Sequence, residues 1–164
     1  MRGKVCAFTG HRPEKLPWGS NEASPHCHAL KLKLLQVVRE LADEGYDTFL
    51  CGMARGCDLY FFDVVCQLRQ ERPDIRIVAC LPCPSQARAW SVEDRERHQA
   101  ALEAADEVRL LSEFYYEGCM VMRNRHMVER CDLLLSVWDG SPGGTGSTIS
   151  YARQRGIPVR GVWR

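Results

Sequence analysis

Val5-Cys6-Ala7-Phe8 runs directly into Thr9-Gly10-His11-Arg12 near the start of the chain. A short apolar run that stops at a glycine-containing turn is typical of a buried strand. Polar and charged residues follow the apolar run at once, so this segment does not have the long apolar core of a signal peptide. We therefore expect a cytoplasmic protein whose first strand covers residues 4–8.

The same pattern of a short apolar run followed by a turn recurs along the whole chain. Predicted strands cover residues 4–8, 47–51, 75–80, 106–111, 132–138 and 157–162. Helical periodicity predicts helices over residues 29–44, 58–70, 92–105, 117–130 and 146–155. Apolar strands that each lead into a helix predict an open parallel sheet with helices on both faces. We therefore expect an α/β fold in one domain over residues 1–164.

Length and composition narrow the class of protein further. The chain has 164 residues, 45% hydrophobic and 26% charged, which is typical of one globular domain. Lys and Arg number 22 against 21 Asp and Glu, so the net charge is +1. This balance argues against a surface built for bulk nucleic-acid or membrane binding, and it leaves a local basic site open.

The chain contains 9 cysteines, an odd number for a disulfide framework. In a reducing compartment they are expected to be free thiols or small buried side chains. Cys80 and Cys83 form the one Cys-x-x-Cys pair, and a structural zinc site needs a second pair at matched spacing. We therefore expect no metal site.

Three glycine-rich segments follow the first, second and fifth predicted strands. They span residues 9–15, 51–58 and 139–148. In open parallel sheets ligands bind at the carboxyl ends of the strands, where these segments must meet. Glycine lets backbone N–H groups approach an anion, and a helix N-terminus adds the positive end of its dipole. The segments, with the arginines near them, therefore predict a phosphate site. The candidate residues are Gly10, His11, Arg12, Gly52, Arg55, Gly56, Asp58, Arg123, Gly143, Gly144, Thr145, Gly146, Ser147 and Thr148.

Two common nucleotide-binding motifs are missing from these segments. Residues 143–148 have no lysine at the P-loop position, and Gly10 stands alone where a dinucleotide fingerprint needs three glycines. Arg123 and Arg125 are two residues apart on one predicted helix, so they cannot share a face. We expect Arg123 to point into the crevice.

Further candidate roles fall on loop aromatics and acid–base groups. Trp18 and Trp90 lie in polar, loop-like surroundings and are candidates for base stacking, with packing as the alternative. Asp58, Glu14 and His11 are weak candidates for catalysis. For Asp58 the alternative role is to cap the helix that it begins.

Four motifs occur in the order seen in the SLOG superfamily: residues 9–12, 52–58, 123–125 and 143–148. This group of Rossmann-like domains joins the DNA-processing protein A family with the Lonely Guy phosphoribohydrolases. The chain is most similar to the small, stand-alone YpsA-like proteins of bacteria. The resemblance covers nearly the whole chain. It implies a Rossmann-like fold that binds a nucleotide or nucleotide-derived ligand, and it adds Asn124 to the candidate site.

The Lonely Guy enzymes carry two glutamates shortly after a Pro-Gly-Gly turn. Matching that turn to residues 142–144 of this chain places Ile149 and Ser150 at the positions of the two glutamates. A carboxylate normally assists the breaking of a bond to ribose, so its replacement favours binding over hydrolysis. We therefore expect a sensor or regulator that binds a mononucleotide or an ADP-ribose-like molecule, with no resident cofactor assigned. Two alternatives stay open: a nucleotide-processing hydrolase, and a single-stranded nucleic-acid-binding protein related to DNA-processing protein A. The sequence also leaves open a homo-oligomer.

Overall fold

The computed structural model describes residues 3–163, so the two ends of the predicted domain, at residues 1 and 164, lie outside the described part. The strands are β1 (Lys4–Gly10), β2 (Tyr46–Cys51), β3 (Arg76–Leu81), β4 (Glu107–Leu110), β5 (Leu133–Val137) and β6 (Val159–Gly161). The helices are α1 (Pro25–Asp43), α2 (Cys57–Glu71), α3 (Val92–Ala104), α4 (Cys119–Glu129) and α5 (Gly144–Gln154). A 3-10 turn covers Pro13–Lys15.

The strands form one sheet in the order β4-β3-β2-β1-β5-β6, and every neighbouring pair is parallel. The chain builds outward from β1 to β4, and α4 then carries it back to β5 on the other side of β1. The strand order therefore reverses between β1 and β5, which is where such sheets bind ligands. This topology confirms the predicted Rossmann-like α/β fold.

Two hydrophobic cores lie on opposite faces of the sheet. Successive strand residues point to opposite faces, so Phe8 joins the larger core and its neighbour Ala7 joins the smaller one. In the larger core the rings of Phe8 and Phe61 stack with centroids 4.5 Å apart. This stack holds α2 against the first strand, which fixes the position of the turns at the carboxyl end of β1.

The first helix begins earlier than its apolar pattern predicts. α1 starts at Pro25 rather than near residue 29, because the Ser24 hydroxyl accepts a hydrogen bond from the His26 amide at 3.2 Å. Proline suits the first helical position, where its missing N–H costs nothing. The short 3-10 turn at Pro13–Lys15 was not predicted either.

All nine cysteines carry free thiols, and eight of them are buried. Burial raises the pKa of Cys80 to about 11, so this thiol stays protonated near neutral pH. Among residues 3–163 no group of three His, Cys, Asp or Glu side chains could hold a metal ion. None of the helices in that range combines the length and apolar character needed to cross a membrane.

Gly10→Ala is expected to destabilise the fold by about 1–3 kcal/mol, the usual cost of overpacking a tight core. A methyl group at Gly10 would lie 2.6 Å from Cβ of Cys57 and 2.9 Å from the Phe8 ring. Gly144→Ala is the matched control, because no atom lies within 4 Å of the added carbon. Thermal unfolding measures both. Equal melting temperatures for Gly10→Ala and wild type would contradict the described packing.

Candidate functional site

A cavity of about 380 Å³ opens at the carboxyl end of the sheet, at the switch point between β1 and β5. Its walls come from the turn after β1, the turn before α2, the middle of α4 and the first residues of α5. The lining residues are Phe8, Thr9, Gly10, His11, Arg12, Glu14, Lys15, Ala54, Asp58, Arg123, Asn124, Gly144 and Thr145. The volume falls within the range of small-molecule sites.

Arg123 is the buried cation of this cavity, with 3% of its surface exposed. Its Nη1 donates to the carbonyl oxygen of Gly52, and its Nε donates to Oδ1 of Asn124 at 2.9 Å. A side chain at Gly52 would lie 2.8 Å from the Arg123 guanidinium carbon. Gly52 therefore does not line the cavity but leaves the space in which the guanidinium sits.

Gln86 supports the same contact from the loop before α3. Its Nε2 donates to the Gly52 carbonyl at 2.9 Å, and its Oε1 lies 3.4 Å from Nε2 of His98. Both side chains are buried. The sequence analysis missed Gln86 and His98, because neither residue stands in a glycine-rich segment. The contact of Gln86 with Gly52 also joins residues that are 34 positions apart in the chain.

Asp58 lines the cavity from the first turn of α2. Its Oδ2 accepts a hydrogen bond from the Ala54 amide at 3.0 Å, so it closes the preceding turn as well as facing the cavity. Burial raises the pKa of Asp58 above its usual value, and the charge of Arg123 offsets part of that rise. Burial likewise lowers the pKa of Arg123, and Asp58 opposes that shift.

His11 joins the end of β1 to the end of β5. Its Nε2 lies 2.9 Å from Oδ1 of Asp139, in a hydrogen-bonded pair, and the His11 side chain is almost fully buried. Hydrogen bonds from Ser141 and then from His11 hold the pKa of Asp139 well below its usual value. Asp139 was not among the predicted site residues, although it lies two residues after the end of β5.

Three cations line the cavity: Arg12, Lys15 and Arg123. Lys15 donates to Oγ of Ser141 at 3.2 Å and to the Pro142 carbonyl, so it also holds the loop after β5. The lining carboxylates are Asp58 and Glu14. The carboxylate of Glu14 is paired with Arg55, which lies outside the lining, at 2.7 Å. The arrangement favours an anionic ligand.

The last glycine-rich segment divides between two surfaces. Gly144 and Thr145 line the cavity, whereas Gly143, Gly146 and Ser147 line a separate cavity of about 480 Å³. Thr148 is buried, and its hydroxyl donates to the Gly144 carbonyl at 2.8 Å. The segment thus contributes the start of α5 to the first cavity, and its remaining residues shape the turn.

Gly56, another predicted site residue, shapes the turn before α2 without lining the cavity. It has a positive φ of 86°, and an added Cβ would lie 2.8 Å from the His11 carbonyl oxygen. Glycine fits this conformation and this close approach, which bring the turn against the residues that follow β1.

Trp18 and Trp90, the predicted stacking residues, lie outside the cavity lining. Trp18 stacks on Trp163 with ring centroids 6.1 Å apart, and its indole N–H donates to the Tyr60 hydroxyl at 3.1 Å. Trp90 meets the His98 ring edge-on at 5.1 Å. Both rings therefore have packing partners of their own.

Ile149 and Ser150 also lie away from the cavity. Ile149 belongs to the smaller core, and Ser150 lines the separate 480 Å³ cavity.

An open parallel sheet with a cation-lined cavity at its switch point defines a Rossmann-like α/β protein. The family model described as the YspA SLOG family matches residues 6–155 of this chain. The chain therefore belongs to the YspA SLOG family, which confirms the family predicted from the four sequence motifs.

Two bacterial relatives match most of the chain. UPF0398 proteins of Bacillus thuringiensis (strain Al Hakam) and Bacillus cereus (strain AH187) are each 26% identical over 156 residues, covering 93% of this chain and 84% of the relative.

Two solved structures of DNA processing protein A share the fold, each with a TM-score of 0.65 over 97% of this chain. The one from Helicobacter pylori is 17% identical and is described by its single-stranded DNA binding mode; the one from Streptococcus pneumoniae is 13% identical. The chain spans 65% and 50% of their respective lengths.

Asp58→Asn is expected to raise the melting temperature at pH 7 by a few degrees. Because the folded-state pKa of Asp58 is raised, its ionised form weakens the fold, and stability is lost as pH rises from the unfolded pKa of about 3.9 through the folded value. The gain should therefore shrink as pH falls through the folded pKa of Asp58, and it should be gone below about 4.

Asp74→Asn, at an exposed loop position, is the control for the simple loss of a negative charge. Thermal unfolding between acidic and neutral pH distinguishes the two variants. A gain for Asp58→Asn that is independent of pH would contradict the electrostatic explanation.

Proposed function

We propose that the cavity binds the phosphate of a mononucleotide or an ADP-ribose-like molecule, and that the protein acts as a sensor or regulator of that ligand. The observation that carries the proposal is the environment of Arg123. Its guanidinium is buried at the cavity wall, and none of the ion pairs found among residues 3–163 includes it. A buried cation is costly unless an anion compensates it.

The start of α5 gives the phosphate its second set of donors. The first N–H groups of a helix have no partners within that helix, and they carry the positive end of its dipole. α5 begins at Gly144, which lines the cavity beside Thr145. A phosphate between this helix end and Arg123 would receive backbone hydrogen bonds and a charge-assisted contact.

The polar groups deeper in the cavity suit the sugar of a nucleotide. Asp58 presents a carboxylate, which accepts hydrogen bonds from hydroxyl groups, and Asn124 presents an amide that can also donate. The cavity therefore offers cations for a phosphate and neighbouring acceptors for hydroxyls, which is the pattern that a phosphorylated nucleoside requires.

Gly144→Asp should abolish nucleotide binding, because it puts a side chain and a negative charge where the phosphate is proposed to lie. Open space around this position lets the variant fold. Gly144→Asn is the matched control of equal size without the charge, and it should retain part of the affinity. Calorimetric titration with nucleoside monophosphates and ADP-ribose measures both. Unchanged binding by folded Gly144→Asp would rule out this placement of the phosphate.

Arg123→Ala should weaken binding roughly tenfold to a hundredfold, since a charged hydrogen bond contributes about 1.5–3 kcal/mol. Arg125→Ala is the control on the same helix, because Arg125 lies over the Tyr151 ring, 4.9 Å from its centroid, outside the cavity lining. Arg123→Lys keeps the charge in case truncation harms folding. A change below twofold in folded Arg123→Ala would remove this residue from the site.

Hydrolysis of nucleoside monophosphates should stay near background. The resemblance sets Ile149 and Ser150 at the positions of the Lonely Guy glutamates, and the carboxylates that line the cavity are already engaged, Asp58 by the Ala54 amide and Glu14 by Arg55. Losing a positioned acid–base group commonly lowers the rate about 100- to 10,000-fold. The assay is chromatography of free base after incubation with each common nucleoside monophosphate. Turnover near or above about one per second, abolished by Asp58→Asn, would instead establish the hydrolase alternative.

Single-stranded DNA is a second candidate ligand, favoured by the described binding mode of the Helicobacter pylori neighbour. The test is fluorescence anisotropy of a labelled oligonucleotide at increasing salt. Binding that weakens steeply with salt and that mononucleotides do not displace would support this candidate over a mononucleotide sensor.

A further inference from the structure

Exposed hydrophobic side chains concentrate in one stretch of the chain. The structure exposes nine large hydrophobic residues within the described part, and seven of them fall between residues 108 and 122. They are Val108, Leu110, Phe114, Tyr115, Tyr116, Val121 and Met122. Scattered exposed apolar residues are ordinary, but such a concentration marks an interaction surface.

The same stretch contains an unpaired sheet edge. β4 pairs with β3 on one side, and within residues 3–163 no strand pairs with its other side. Its N–H and C=O groups on that side are free to pair with another strand. Val108 and Leu110 sit beside Ala79 and Leu81 of β3, so they extend the apolar face of the sheet beyond its own core.

The opposite face of β4 carries one acidic and one basic residue, so two copies of the strand can place opposite charges against each other. Glu107 and Arg109 lie two residues apart and form an ion pair within the strand. In an antiparallel pair of β4 strands, opposite residues share a face. We call a register centred on a residue when that residue lies opposite its own copy in the second strand. In the register centred on Val108, the two Val108 residues are opposite each other, and each Glu107 is opposite Arg109 of the second copy.

Neighbouring registers lack this match. A pairing centred on Arg109 sets two arginines opposite each other, and one centred on Glu107 sets two glutamates opposite each other. Like charges directly opposite are destabilising. We therefore propose that β4 pairs antiparallel with β4 of a second copy of this chain, in the register centred on Val108, to form a two-fold dimer with a continuous sheet.

The exposed aromatic residues fit this arrangement. Phe114, the most exposed of the set at 75%, follows β4 at its carboxyl end. In an antiparallel pairing the carboxyl end of one β4 lies beside the amino end of the other. The segment 114–116 would therefore extend beyond the second strand toward the end of α3 in the second copy. A closed two-fold contact would cover the edge that otherwise invites open-ended association.

The experiment is sedimentation equilibrium of the full chain at concentrations up to roughly 100 µM, where a micromolar dimer is populated. Wild type should have the mass of two chains. Glu107→Arg should reduce it to one chain, because it sets two pairs of arginines against each other. The double variant Glu107→Arg with Arg109→Glu should restore the dimer, because it reverses the same pairing.

Leu32→Lys, which alters an exposed leucine on α1, is the control and should leave the dimer intact. Circular dichroism verifies that each variant folds. A monomeric wild type would overturn the proposal. A Glu107→Arg variant that stays dimeric, or a folded double variant that fails to restore the dimer, would overturn the proposed pairing.

Discussion

The arrangement of the site depends on one buried guanidinium. Arg123 reaches from α4 to the carbonyl oxygen of Gly52, the residue that follows β2. This contact requires glycine at position 52, because a side chain there would collide with the Arg123 guanidinium. Gln86 holds the same carbonyl from the other side. A cation in this position, with 3% of its surface exposed, needs an anion beside it or an anionic ligand.

The charges around the cavity favour an anionic ligand. Asp58 compensates Arg123 only in part, since its own pKa is raised by the same burial. Glu14 is already paired with Arg55, and Lys15 fixes the loop that leads into α5. Burial in the cavity thus disfavours the charged forms of both Arg123 and Asp58, and a bound phosphate would compensate the charge of Arg123.

The fold was predictable because a parallel sheet buries its strands on both faces, which leaves short apolar runs in the sequence. The start of α1 could not be predicted from hydrophobic periodicity, because Ser24 and Pro25 precede the first apolar residues of the helical pattern. The glycine-rich turns identified Gly10, His11, Arg12, Asp58 and Gly144, all of which line the cavity. Gln86 could not be found this way, because its partner Gly52 lies 34 residues away. Asp139 stands at the start of the glycine-rich segment 139–148, but its pairing with His11, 128 residues away, could not be predicted. Local polarity favoured a stacking role for Trp18 and Trp90, whereas in the structure their rings contact Trp163 and His98.

The most direct measurement is an amide NMR titration of the ¹⁵N-labelled protein with nucleoside monophosphates and ADP-ribose. If a phosphate binds between Arg123 and the start of α5, the largest shifts will fall on the amides of Gly10, His11, Gly144 and Thr145. Those residues share one cavity although the chain separates them widely. Shifts confined to other surfaces, or none at ligand concentrations near about 1 mM, would contradict a phosphate site at the switch point.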